Sequence, residues 1–155
     1  MKTVRIEDLR SGLVSGVDIR LPTREGVHRE AYFEWEVSPF RTAFMTSNVV
    51  GGLLTVWHHV PCFTEVEYHG DCEKFFFLSG TVLMLFADLK AGVVVPQSLQ
   101  IVRIQAGTHL VIFPGKAHFI PVAETIDPAL ILIVAPTMEA PRIALSAPVL
   151  GVDEA

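Results

Sequence analysis

The stretch Glu65-Val66-Glu67-Tyr68-His69-Gly70-Asp71-Cys72-Glu73 decides how the rest of this 155-residue chain is read. In an extended strand, residues two apart share a face, so Glu65, Glu67 and His69 project together. Gly70-Asp71 then permits a turn, and Glu73 opens the next strand. Carboxylates and an imidazole on one face of an apolar segment are expensive if buried unpaired, by several kcal/mol for each carboxylate. A bound cation would remove that cost. The alternative is a solvated face, with Val66 and Tyr68 turned to the core.

Outward from this stretch the chain is a series of short apolar or β-branched runs. They cover 27–37, 42–45, 52–59, 63–69, 75–78, 82–88, 99–104, 109–113, 117–122 and 129–135. Ser79-Gly80, Ala106-Gly107, Pro114-Gly115 and Asp127-Pro128 supply turns between them. No window holds helical apolar spacing for three turns, except short pieces near 6–13 and in the tail. About ten short strands with frequent turns predict an all-β sandwich or barrel. Residues 1–155 read as one domain, with a core at about 50–136 and a tail, 137–155, lying over the outside or reaching a partner subunit.

Composition narrows the function classes. Half the residues are hydrophobic and 19% are charged, which suits a packed core rather than disorder. The net charge is −5, and the 12 lysines and arginines form no basic stripe, so nucleic acid is not the expected partner. The apolar runs 49–56 and 129–135 are too short to cross a bilayer, and the charged start lacks a signal-peptide core. The expected location is cytoplasmic. Cys62 and Cys72 lack Cys-x-x-Cys spacing and read as two reduced thiols. Of the remaining histidines, adjacent His58 and His59 face opposite ways in a strand, so at most one could turn inward. His28 and His109 read as a solvated and a strand residue respectively.

The spacing His69, three residues, Glu73, six residues, Gly80 resembles the second half of the first cupin motif. Gly107 followed by Pro114-Gly115-Lys116-Ala117-His118 resembles the second motif, with six residues rather than five before the proline. The resemblance spans roughly 53–135 and implies a cupin-type double-stranded β-helix, a jelly-roll barrel. It also implies a divalent-metal set of Glu67, His69, Glu73 and His118, with Glu67 where the motif has its first histidine. Two neutral imidazoles and two carboxylates would neutralise the ion, and the mix suits Zn, Mn, Fe or Ni.

Within the cupins the chain looks closest to ureidoglycolate lyase, formerly called ureidoglycolate hydrolase. The likeness rests on Glu65, Glu67 and His69 in that order and on the aromatic strand Phe75-Phe76-Phe77 before Ser79-Gly80. It implies cleavage of ureidoglycolate to glyoxylate and urea. Glu73 or Glu65 would take the hydroxyl proton, and Tyr68 or a water would return one to the leaving urea. Lys116, two residues before His118, would then face the site and bind the anionic small-molecule substrate. Mean hydropathy of +0.44 is high for a small domain and predicts a homodimer, with the tail and the 27–37 strand as contributors. Two other readings compete: a non-catalytic cupin that binds a small molecule or metal, and a cupin isomerase or lyase for another small polar substrate.

Overall fold

The computed structural model describes residues 1–22, 27–36 and 42–153. Its strands run in the order β1 (Lys2–Asp8), β2 (Val17–Arg20), β3 (Val27–Arg29), β4 (Glu34–Glu36), β5 (Val49–Val56), β6 (Cys62–Glu67), β7 (Glu73–Ser79) and β8 (Thr81–Ala87). Then come β9 (Leu89–Lys90), β10 (Val93–Val94), β11 (Gln100–Gln105), β12 (His109–Ile112), β13 (Ala117–His118), β14 (Val122–Ala123), β15 (Ala129–Pro136) and β16 (Arg142–Val152). Among the described residues the only helical turn is a short 3₁₀ segment, Pro96–Ser98.

Eight of these strands pair as one nested hairpin. β8 pairs antiparallel with β11, β7 with β12, β6 with β13, and β5 with β15. Wound between two sheets, the hairpin gives the orders β5-β15-β7-β12 and β6-β13-β8-β11. That is the double-stranded jelly roll that the motif resemblance implies. Alternation along β8 explains how it serves two cores. Val82, Met84 and Phe86 face the space between the sheets, packing with Phe75, Phe77, Ile104, Leu110 and Ile131. Leu83, Leu85 and Ala87 face the other way, into a second core with Ile6, Phe63, Val66, Ile101 and Val149.

The second core exists because the terminal segments close a ring. β1 lies parallel between β11 and β16, and β16 pairs antiparallel with β6, so β8, β11, β1, β16, β6 and β13 form a closed circuit. This corrects two expectations. The 137–155 segment is not a tail on the outside but supplies the longest strand, β16. The stretch near 6–13 is not helical, because Val4 and Ile6 alternate toward the ring interior as strand residues do. Pro148 hid β16 in the sequence. It falls in the interruption of the β16–β6 ladder between Ala144 and Val149, where its missing N–H leaves no ladder bond unmade. Gly151 sets how tightly the ring closes, since a Cβ there would lie 3.2 Å from both Ile101 and Ile6.

Two further boundaries differ. The 27–37 run is a short hairpin of β3 and β4 rather than one strand, and Val37 lies outside the described residues. Residues 42–45 form no strand. The Met45 N–H donates to Asp71 Oδ2 at 2.7 Å instead of joining a ladder.

Candidate metal centre

Local turns bring the two motif halves together. After β6 the chain turns at Gly70-Asp71, where buried Asp71 accepts from the Cys72 N–H at 2.7 Å as well as from Met45. Gly115 turns the chain with φ of 78°, and its N–H donates to the His69 carbonyl at 2.9 Å. Glycine adopts that left-handed conformation without steric cost. The second motif is thereby fastened directly onto the first.

Four of the expected ligands meet there. His118 stands directly opposite Glu67 in the β6–β13 ladder. Glu73, at the start of β7, projects Oε2 to 3.1 Å from His69 Nε2 and 2.9 Å from His118 Nε2. Glu67 Oε1 lies 4.0 Å from His69 Nε2. Glu67, His69 and His118 offer ligand atoms that all lie within 4.8 Å of one another. His69, Glu73 and His118 are buried.

Each imidazole is held by its other nitrogen. His69 Nδ1 donates to the Glu139 carbonyl at 3.0 Å, and His118 Nδ1 donates to the Lys116 carbonyl at 3.1 Å. In a neutral ring this leaves the Nε2 lone pair turned into the cluster, the tautomer a metal ligand needs. His69 Nε2 and Glu73 Oε2, although close, lack hydrogen-bonding geometry, so both are buried acceptors with no hydrogen bond. Acceptor facing acceptor is repulsive without a positive charge between them. The spacing fits such a charge: two donors about 2.1 Å from an ion and about 90° apart lie about 3 Å from each other.

Burial disfavours charge on Glu73, but the adjoining His118 and His69 rings outweigh it and lower the carboxyl pKa to about 2. Burial likewise opposes charge on His69, and Glu73, the Glu139 carbonyl and Glu67 together raise its pKa despite that.

Above the cluster lies a cavity of about 410 Å³. His69 and Glu73 form its polar base, and β5, β15 and the 137–138 segment form its largely apolar walls. A smaller recess of about 50 Å³ reaches Glu67, Glu73 and His118 and shares Leu54, Glu73 and Ile133 with the larger one.

Three expected residues are placed elsewhere. Lys116 is buried, and its Nζ pairs with Asp88 Oδ1 at 2.6 Å rather than lining the cavity. Its aliphatic stem packs under Gly16. The turn at Pro114-Gly115 breaks the alternation that would have put Lys116 and His118 side by side. Glu65 is held at 2.8 Å by Arg142. Tyr68 lies between Glu67 and His69 and lines neither recess. Its backbone N–H donates to Pro141 at 3.4 Å.

Arg142 was missed in the sequence. Its Nε approaches Glu67 Oε2 at 3.8 Å, and only the pairing of β16 with β6 brings it there. The other histidines stay apart from the cluster. His58 donates to the Ala123 carbonyl at 3.2 Å, His59 to Val60 at 2.8 Å, and His109 packs on Phe76. Cys62 and Cys72 are free thiols, and burial pushes the Cys72 pKa up.

No protein-family model matches the chain, and no curated protein does. Solved structures of oxalate decarboxylase from Bacillus subtilis are similar to it, one of them from work on that enzyme's Mn(II) centres. The likeness is 17% identity over 63% of this chain with a TM-score of 0.45. This chain spans about a quarter of those proteins, 24% of their length. No helix among the described residues is long and apolar enough to cross a membrane.

Proposed function

We propose that this chain is a metal-dependent cupin enzyme acting on a small molecule held in the cavity over the cluster. One observation carries the reading: two imidazoles, each anchored through Nδ1, direct Nε2 at the same buried carboxylate oxygen. His69, His118 and Glu73 would hold a divalent ion, with Glu67 as the fourth ligand. The N and O donors suit Zn, Mn, Fe or Ni, and such an ion supplies Lewis acidity toward a ligand oxygen.

The chain's own residues do the rest. The apolar walls exclude water from one side of the ligand. Glu67, steadied by Arg142, lines the smaller recess and would accept a proton from a ligand hydroxyl that reaches it there. Glu73, between the two histidines, would hold the ion together with them.

Ureidoglycolate lyase activity is the finer form of this reading, supported by the order of Glu65, Glu67 and His69. The pairing of Lys116 with Asp88 removes the anion contact that substrate would use. A non-catalytic metal-binding cupin remains the competing class. The same proposal makes the protein a cytoplasmic homodimer, in keeping with its two free thiols.

The test is elemental analysis of protein purified without chelators, then a substrate panel including ureidoglycolate, with Glu67→Gln as control. Near-stoichiometric metal and turnover lost in Glu67→Gln support the enzyme. Metal with no turnover supports the binding protein. Protein that neither carries nor takes up metal rejects both.

A further inference from the structure

The cavity wall contains Gly51-Gly52 in the middle of β5, a strand otherwise built of Val, Leu and Thr. Glycine weakens a strand, by roughly 0.5–1 kcal/mol relative to alanine, so two in succession call for a reason. The backbone gives none. Neither residue has a left-handed φ, and both pair regularly with β15, Gly51 opposite Val134 and Gly52 opposite Ile133. Packing gives none either: a Cβ at Gly52 would meet nothing within 4 Å, and one at Gly51 would sit 3.8 Å from the Ile133 carbonyl. Adjacent strand residues face opposite sides, and it is Gly52, sharing the inner face of β5 with Leu54 and Val56, that leaves open space beside His69 and Glu73.

The charge of that space is equally specific. Val50, Leu53, Leu54, Ile133 and Met138 line it, and among the described residues no lysine or arginine does. Lys116 and Arg142 are committed elsewhere, Lys116 to Asp88 and Arg142 to Glu65. Glu67 and Glu73 would already balance a bound divalent ion. A small dianion would therefore enter without a counter-charge, at a desolvation cost the apolar walls do not repay.

We propose that the cavity binds a ligand with an apolar body and a compact oxygen-chelating head that is neutral or singly charged, the body lying against Gly52. This inference rests on the metal-binding reading above. It names the substrate class of that site as apolar rather than as a small polyanion.

The experiment uses the full chain loaded with Mn(II) or Zn(II), whose uptake is first measured by titration. Three probes are then compared: acetohydroxamate, octanohydroxamate and oxalate. The first two share a chelating head and differ only in the apolar body. Octanohydroxamate should bind at least tenfold more tightly than acetohydroxamate, and oxalate should bind most weakly. In the variant Gly52→Val the advantage of the longer chain should disappear. Metal uptake and acetohydroxamate affinity should be unchanged, and the melting temperature should not fall, because valine favours the strand. Metal uptake without a chain-length advantage, oxalate as the tightest probe, or a full advantage kept in a folded Gly52→Val variant overturns the inference alone. Failure to take up metal overturns the metal reading and this inference with it.

Discussion

Glu67 and His118 stand directly opposite each other across the β6–β13 ladder, although 51 positions separate them in the chain. Cross-strand partners share a face of the sheet, so the pairing that builds the barrel also builds the cluster. Four strand-borne or turn-borne groups converge because the nested hairpin folds their segments onto one another.

His118→Ala removes one anchored imidazole, whereas Glu67→Gln removes charge from the carboxylate that lies 4.0 Å from His69. Metal affinity should fall by about a hundredfold or more in the first and about tenfold in the second, the latter equal to about 1.4 kcal/mol. Competition titration against a fluorescent chelator reads both. Equal affinities in wild type and His118→Ala would remove His118 from the site.

The stability of the metal-free protein should depend on pH in both directions. Glu73, lowered from 4.5 to about 2, stabilises the fold above pH 4.5, and that contribution is lost as pH falls through about 2. His69, raised above 6.5, stabilises it below pH 6.5, and that contribution is lost as pH rises through its folded value. The metal-free melting temperature should therefore be highest between about pH 4.5 and 6.5. Added metal competes with the His69 proton, so it should raise the melting temperature most above that window. A metal-free melting temperature that climbs steadily from pH 5 to 8 contradicts this.

Lys116 and Asp88 are unequally exposed, the lysine side chain at 5% and the aspartate at 49%. Their removal should be unequal too. Asp88→Ala strands a buried ammonium and should cost about 2–3 kcal/mol, while Lys116→Met leaves an aspartate that water can solvate and should cost about 1 kcal/mol or less. Urea denaturation measures both. Metal affinity should be unchanged in either variant, and a tenfold loss in Lys116→Met would restore the lysine to the site.

The β3–β4 hairpin exposes Tyr32, Phe33 and Trp35 together. If it covers a second copy, light scattering at micromolar concentration should give a dimer, and Trp35→Glu should shift it toward monomer. A wild-type monomer under those conditions rejects the homodimer.

Much of the jelly roll was legible because its strands are bounded by turn residues that act locally. Ser79-Gly80 and Pro114-Gly115 mark turns whatever surrounds them, and the runs in β7, β8, β11 and β15 announce strands on their own. His69, Glu73 and His118 were legible because motif spacing reflects the fixed geometry of a strand, a turn and a strand. The strand β16 was not, since Pro148 signals a break and only the gap in the facing ladder accommodates it.

The tertiary structure alone decided which charges meet. Lys116 is two residues from His118, but the turn at Gly115 sends its ammonium to Asp88, whose position depends on β8. Arg142 reaches Glu65 and Glu67 only through the β16–β6 pairing, across more than seventy positions of chain. Alternation and turn chemistry are short-range properties, so the sequence determined the strands and the candidate ligands. Ion pairing depends on where distant segments come to rest, and closure of the ring by β1 and β16 settled that.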